Sequence, residues 1–164
     1  MSSSDRRFVL TLLAAVPLAA CGFTPAYAPG GAAGRLRGRI AVQEPKDRNG
    51  FDLVRALEQR LGSPEAPLYD LSVTLDLQRL SGGITPDNEI TRYQLKGTAT
   101  WSLSAAQDGT RVAGGVARSF TSWSATGSTI AGLAAEEDAA RRLMVILADQ
   151  ITTQIVAKAP DIAP

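Results

Sequence analysis

Apolar and polar residues alternate with a period of two along two long stretches in the middle of the chain. From Leu71 to Leu77 every second residue is Leu or Val, and the residues between them are polar. From Tyr93 to Leu103 apolar residues and one glycine alternate with Gln, Lys, Thr and Ser. Because this period places successive side chains on opposite faces of a strand, the two stretches are predicted to be half-buried strands, the first within residues 68–80.

Two weaker strands flank this pair. Apolar residues of one parity predict a short first strand over Arg37–Gln43. After the second long strand comes an Asp-Gly pair, a favoured hairpin turn, and a weaker alternation then predicts a last strand over Arg111–Trp123. The apolar positions of that strand are Val112, Val116 and Phe120, and two glycines at 114 and 115 indicate a bulge or a bend.

Two segments have the spacing of amphipathic helices. The first is predicted over Gly50–Leu61, with Asn49 as its N-cap and a Gly and a Pro after its end. The second has apolar residues every three or four positions over Ala134–Ala157, and its start is open between Thr129 and Glu136.

The predicted element order is β-α-β-β-β-α. Each strand has one apolar face and each helix one apolar stripe, so two helices on one face of a four-stranded sheet would bury both. A right-handed crossover through the first helix makes the first two strands parallel, and the hairpins make the others antiparallel. The expected fold is therefore an α+β two-layer sandwich with a mixed sheet whose other face is polar.

The N-terminus has the order of an export signal. Arg6 and Arg7 precede an uncharged apolar run over Phe8–Ala20, which ends in small residues before a cysteine. The run is shorter than the roughly 20 residues that a membrane-spanning helix needs. Residues 1–20 are therefore predicted to be a signal peptide.

Cys21, the only cysteine, is predicted to carry the lipid. The preceding Leu-Ala-Ala resembles the bacterial lipobox, which implies acylation at Cys21 and anchoring to a membrane through acyl chains; the alternative is a buried apolar cysteine near an ordinary cleavage site. Gly22 stands where an aspartate would retain the protein at the inner membrane, which implies the outer membrane. The chain then divides into a tether (21–34), one domain (35–158) and a tail (159–164).

The residue inventory excludes several kinds of chemistry. The chain has no histidine and its one thiol is assigned to lipid, so Ser-His and Cys-His catalysis and the usual zinc sites lack their residues. We expect no metal, no cofactor and no enzymatic activity. Without the signal peptide the basic and acidic side chains balance, which gives no reason to expect binding to nucleic acid.

Carboxylates leave one enzymatic alternative open. The densest acidic run, Glu136–Asp138, lies early in the second helix and is interpreted as a solvated helix face that meets the positive end of the helix dipole. An envelope hydrolase would need carboxylates from different elements, such as Asp70 or Asp76 with Asp87 or Glu89, and nothing in their spacing calls for this.

Three stretches of the chain carry a recognisable family pattern: Cys21–Tyr27, Ile90–Leu95 followed by Trp101–Leu103, and Ser119–Ala125 leading into the final helix. Together they resemble one family, the lipoprotein LptE. The resemblance covers most of the chain after the signal peptide and has the family's element order.

The resemblance implies a non-enzymatic outer-membrane lipoprotein, anchored on the periplasmic side. Its partners would be an LptD-like outer-membrane β-barrel, which it plugs and helps to fold, and lipopolysaccharide on its way to the outer leaflet. The competing hypothesis is an envelope lipoprotein that binds lipid or peptidoglycan without a barrel.

Lipopolysaccharide carries phosphates and carboxylates, so the residues that contact it should be cationic. The candidates are Arg92 and Lys96, on the polar face of the third strand, and the nearby Arg79; the alternative is that all three are ordinary solvated charges. Arg35, Arg37 and Arg39 are interpreted as charges that protect a strand edge, with anion binding as the second possibility.

Contact with the barrel is predicted for the loop over residues 81–89, represented by Ile84 and Asn88; the alternative is a surface loop without a partner. Trp101 should be in the core because it shares the parity of Leu95 and Leu103. Trp123 is the remaining partner-contact candidate, with a partner-facing or a core position both open.

Overall fold

The computed structural model describes residues 31–84, 90–125 and 129–162. Its elements are α1 (Ala32–Leu36), β1 (Ile40–Val42), α2 (Arg48–Leu61), β2 (Tyr69–Ile84), β3 (Ile90–Ala105), β4 (Arg111–Ser124) and α3 (Thr129–Ile162). The predicted signal peptide, Cys21 and most of the tether lie outside the described residues.

The strands form one mixed sheet in the order β1-β2-β3-β4. β1 pairs with β2 in parallel, whereas β2, β3 and β4 are antiparallel neighbours. The core lies between one face of this sheet and the helices, and it is made of Leu, Ile, Ala, Met and two Trp side chains. The α+β two-layer fold that the sequence predicts is confirmed.

The two long helices run parallel to each other above the sheet. Arg48 at the start of α2 makes a bidentate contact with Glu137, and Arg60 in the last turn of α2 bonds Asp149. The two helices therefore stay aligned along the length of α2. α3 approaches the sheet closely at Gly97 of β3, where an added Cβ would lie 3.0 Å from side-chain carbons of α3.

Element boundaries differ from the predictions where tertiary contacts decide them. The N-cap of α2 is Asp47, whose carboxylate accepts from the Gly50 N–H, and not Asn49. β1 is limited to three residues. α1 begins within the predicted tether, and Ala33 and Leu36 are buried in the core region. Residues 159–162 of the predicted tail belong to α3, in which Ala159 and Ile162 are buried.

The irregularity in β4 lies at its start and not at the two glycines. Leu103 pairs with Ala113 and Ser104 with Arg111, so Val112 is the extra residue. Gly115 serves a different purpose, because a Cβ there would lie 2.9 Å from Trp101 Nε1 and 2.6 Å from Gln154 Oε1. The glycine lets the tryptophan and the helix side chain approach the strand.

Candidate functional site

The open face is the side of the sheet that no helix covers, and it carries the even-numbered residues of β2, β3 and β4. Alternation along each strand fixes this face, since the odd-numbered Leu71, Trp101 and Leu103 are fully buried beneath the helices. Arg92 and Lys96 therefore lie together on the open face of β3, as the sequence predicts, and both are exposed.

Apolar side chains accompany these cations. Phe120 of β4 pairs directly with Lys96 and is 60% exposed, and Leu80 of β2 lies one residue pair further along the same face. Arg118 adds a third exposed cation beside Thr98. Within the described part of the chain, none of the three cations forms an ion pair. The open face thus combines unpaired positive charge with exposed apolar surface.

Sequence reasoning did not find the apolar part of this surface. The alternation through Val112, Val116 and Phe120 suggested a core-facing stripe, but the core-facing residues of β4 are Ala117, Thr121 and Trp123. Whether the odd or the even residues of β4 face the helices depends on how β4 pairs with β3. The bulge at the start of β4 shifts this pairing by one residue. Trp123, the one large apolar residue at an odd-numbered position of β4, was the only local signal for the correct face.

Arg79 is on the other face of the sheet. Its guanidinium carbon lies 4.2 Å from the ring centroid of Tyr93 and 5.4 Å from that of Trp123. Nη1 also donates to Glu136 Oε1 of α3 at 3.0 Å. The structure therefore separates Arg79 from Arg92 and Lys96, and its charge is already matched by a carboxylate and two rings.

The two tryptophans are both in the core. Trp101 is fully buried, as predicted, and its Nε1–H donates to Gln154 Oε1 at 2.8 Å. Trp123 is 6% exposed and stacks on Tyr93 with ring centroids 5.5 Å apart. Of the two positions that the sequence leaves open for Trp123, the fold shows the core position, because its side chain shares the parity of the buried residues of β4.

The acidic run at the start of α3 is partly exposed and holds the helix in place. Glu136 bonds Arg79 of the sheet, Glu137 bonds Arg48 of α2, and Asp138 contacts two arginines of its own helix. Each carboxylate therefore has an arginine partner, and this run has a structural role that spacing alone did not indicate.

Other candidates from the sequence are less constrained. Arg35, Arg37 and Arg39 are exposed around the start of β1. Ile84 ends β2, where its backbone pairs with Ile90, and Asn88 lies outside the described residues. Of the carboxylates considered for hydrolysis, Asp70 and Asp76 are exposed on the open face, whereas positions 87 and 89 are not described.

The described ranges hold neither a membrane-spanning helix nor a metal-binding cluster. In those ranges no helix has the length and apolar character needed to cross a membrane. No group of three or more Cys, Asp or Glu side chains among the same residues is arranged to hold a metal ion.

The sequence matches one family model. The family is LptE, described as lipopolysaccharide-assembly, and the match extends over residues 38–155, from just before β1 into the second half of α3. No curated protein matches the chain.

Solved structures of several bacterial lipoproteins are similar to this fold. A lipoprotein from Caulobacter crescentus CB15 is 24% identical with a TM-score of 0.66, covering 79% of this chain and 98% of its own. Rare lipoprotein B from Shewanella oneidensis is 10% identical with a TM-score of 0.58, covering 75% and 96%. A minor lipoprotein from Acinetobacter baumannii is 20% identical with a TM-score of 0.53, covering 73% and 90%. At these identities the shared property is the fold.

Proposed function

This chain belongs to the LptE family of lipopolysaccharide-assembly proteins, and we propose that it is the lipid-anchored, non-enzymatic plug of an LptD-like barrel in the outer membrane. Family membership gives the role in lipopolysaccharide assembly. The barrel partner, the anchor and the ligand contacts are the finer parts of the proposal. The single observation that carries the ligand contacts is the open face of the sheet.

The open face matches the chemistry of lipopolysaccharide. The lipid A part of lipopolysaccharide has phosphates beside acyl chains, and the face has Lys96 paired with the exposed Phe120, with Arg92 four residues away along β3. Arginine can bind a phosphate through two parallel hydrogen bonds, and a cation without an ion-pair partner is available to do so. The aromatic ring offers apolar surface next to the charge.

The rest of the open face suits the inside of a barrel. Between the cations, β2 and β3 present Thr, Ser, Gln and Asp side chains to the solvent, and the lumen of a large transmembrane barrel is polar. A domain without excess charge also meets no strong electrostatic barrier on entering such a lumen. Residues 81–89, with Ile84 and Asn88, stay the proposed contact between the β2–β3 hairpin and the barrel.

Cys21 is the proposed anchor point. Residues 22–31 separate it from the start of α1, and a chain of this length spans at most roughly 3.5 Å per residue when extended. An acylated Cys21 would therefore keep the domain within some tens of ångströms of the inner leaflet of the outer membrane. That distance is compatible with insertion into a barrel from the periplasmic side.

Co-purification tests the plug. The full-length chain with a C-terminal affinity tag, extracted from membranes in mild detergent, should retain a large outer-membrane barrel in near-stoichiometric amount. Absence of any barrel above the background of an unrelated tagged lipoprotein would overturn the plug. It would leave the alternative of an envelope lipoprotein that binds lipid or peptidoglycan alone.

Charge reversal tests the ligand site. The double variant Arg92→Glu/Lys96→Glu should bind purified lipopolysaccharide more weakly, and the loss should be larger at low salt because exposed charges are screened at high salt. The matched control is Arg55→Glu/Arg142→Glu, which changes the charge equally at exposed residues of the helix layer. Equal binding by both double variants at both salt concentrations would remove Arg92 and Lys96 from the site.

A further inference from the structure

Among the described residues, no strand pairs with the outer edge of β2 along most of its length. β2 has sixteen residues but β1 only three, and β1 pairs only with Tyr69–Leu71. The last bond of this ladder runs from the Gln43 N–H to the Leu71 carbonyl at 2.9 Å. β1 cannot continue, because Pro45 lacks an N–H and Asp47 already caps α2.

The direction of the free backbone groups follows from this last bond. Backbone groups of successive strand residues point alternately to the two neighbouring strands. Since the Leu71 carbonyl points outward, the N–H and carbonyl groups of Val73, Leu75 and Leu77 point outward as well. No other described residue hydrogen-bonds to these groups.

The opposite edge of the sheet is protected at Gly114 and Val116. On β4 the outward carbonyls of Gly114 and Val116 accept from side chains of α3, Lys158 Nζ at 2.7 Å and Gln154 Nε2 at 3.1 Å. Folded proteins usually cover or charge their edge strands, because a bare edge recruits other strands. Here side chains of α3 cover this part of β4, whereas no described residue covers the edge of β2 from Val73 to Leu77.

A cleft beside the open edge provides room for side chains. It has a volume of about 230 Å³ and lies between β2, the end of β1 and the first turns of α2. Its apolar lining comes from Val42, Leu53, Val54, Val73 and Leu75. Val73, Leu75 and Leu77 of β2 are only half-buried, since no described strand lies next to them.

We infer that the vacant edge of β2 binds an extended strand of the barrel partner, which continues the sheet beyond β1; this rests on the proposed function. On the helix side, the incoming strand would place apolar side chains, one of which would enter the cleft. On the open face, it would place polar side chains beside Thr74, Asp76 and Gln78. Main-chain hydrogen bonds give affinity in such strand addition, and the alternating side chains give specificity.

The other possible occupants fit less well. The segment 22–30 of this chain contains Pro25 and Pro29, neither of which has an N–H to donate. A second copy would pair β2 with itself in antiparallel, which directs the two chain starts to opposite ends of the joined sheet. Two acyl anchors in one leaflet oppose that arrangement.

A proline at the vacant edge tests the inference. Leu75→Pro removes an outward N–H that β3 does not use, so the β2–β3 ladder stays intact. One lost strand bond is worth ~1 kcal/mol, and the ring also blocks close approach, so the tagged variant should retain at least about fivefold less barrel. Leu75→Thr keeps the N–H and loses the same apolar side chain, and should retain clearly more barrel than Leu75→Pro.

Val116→Pro is the control at the protected edge, because its N–H is also outward and unused by β3. It should retain the barrel as the unaltered chain does, and circular dichroism should confirm that every variant is folded. In the purified complex the amides of Val73, Leu75 and Leu77 should exchange hydrogen more slowly than in the barrel-free protein.

Three results would overturn the inference. The first is equal barrel retention by Leu75→Pro, Leu75→Thr and the unaltered chain. The second is protection of these amides in the barrel-free protein that disappears when residues 22–30 are deleted. The third is a dimer in solution that Leu75→Pro dissociates. If the unaltered chain retains no barrel at all, the proposed function itself fails, which is a distinguishable outcome.

Discussion

The two faces of the sheet use charge in opposite ways. On the covered face, Arg79 is held between two aromatic rings and a carboxylate, and Arg48 and Arg60 connect α2 to α3 through ion pairs. On the open face, Arg92 and Lys96 have no ion-pair partner among the described residues. Arginines of the helix layer thus help to hold the fold, whereas the open face keeps its cations available for a ligand. Variants matched across the two faces can test this division.

The largest contrast should come from aromatic residues. Trp101→Ala leaves a cavity under α3 and removes the donor to Gln154 Oε1, so we expect the free energy of unfolding to fall by about 3–5 kcal/mol. Phe120→Ala, on the open face, should change it by less than about 0.5 kcal/mol. Urea unfolding followed by circular dichroism measures both. A comparable loss in Phe120→Ala would place the open face in the stabilising core and contradict the division.

A smaller contrast is expected for two glycines. Gly115→Ala adds a methyl group where Trp101 Nε1 and Gln154 Oε1 are too close, and overpacking of this kind costs about 1–3 kcal/mol. Gly132→Ala, in α3, meets no atom within 4 Å and should raise the free energy of unfolding by up to about 1 kcal/mol through helix propensity. The same unfolding assay applies. A stable Gly115→Ala would mean that the Trp101–Gln154 contact can move away from the strand.

The arginines give a third contrast, in which two measurements should move in opposite directions. Arg79→Ala loses the contacts with Tyr93, Trp123 and Glu136, all partly solvent-screened, and should destabilise the fold by about 1 kcal/mol. Arg92→Ala should be neutral for stability within about 0.5 kcal/mol but should weaken lipopolysaccharide binding. If Arg79→Ala weakens that binding while the fold stays as stable as before, Arg79 belongs to the ligand site after all.

Local periodicity was enough to predict the parts of the fold whose signal is local. Alternation found β2 and β3, and helical spacing found α2 and α3, because one face of each is continuously apolar. α1 was missed because a short Ala- and Gly-rich stretch has no period, and it forms where Ala33 and Leu36 are buried. The start of α3 at Thr129 lies within the predicted range, but its C-terminal end was underestimated, since burial of Ile162 extends the helix past Pro160.

The candidate site was predictable only as far as strand parity was. Arg92 and Lys96 share a face because they are four residues apart on one strand. Arg79 shares the parity of Leu75 and Leu77, so its position on the covered face could have been deduced from the alternation of β2. The position of Phe120 could not, because it depends on the register between β3 and β4 and on the bulge at Val112.

The smallest expected effect lies in the turn between β3 and β4, at the end of the sheet and outside the two-face division. The backbone N–H of Thr110 donates to Asp108 Oδ1 at 2.9 Å, and this bond, followed by one from the Thr110 side chain, lowers the pKa of the Asp108 carboxyl. A lowered pKa in the folded state means that the ionised carboxylate stabilises the fold at neutral pH. This contribution should disappear as the pH falls below the ordinary aspartate range and through the lowered pKa. The unfolding temperatures of Asp108→Asn and the unaltered chain should therefore differ slightly at pH 7 and converge in acid. A constant difference between the two temperatures at all pH values would mean that the turn is stabilised by the shape of the side chain and not by its charge.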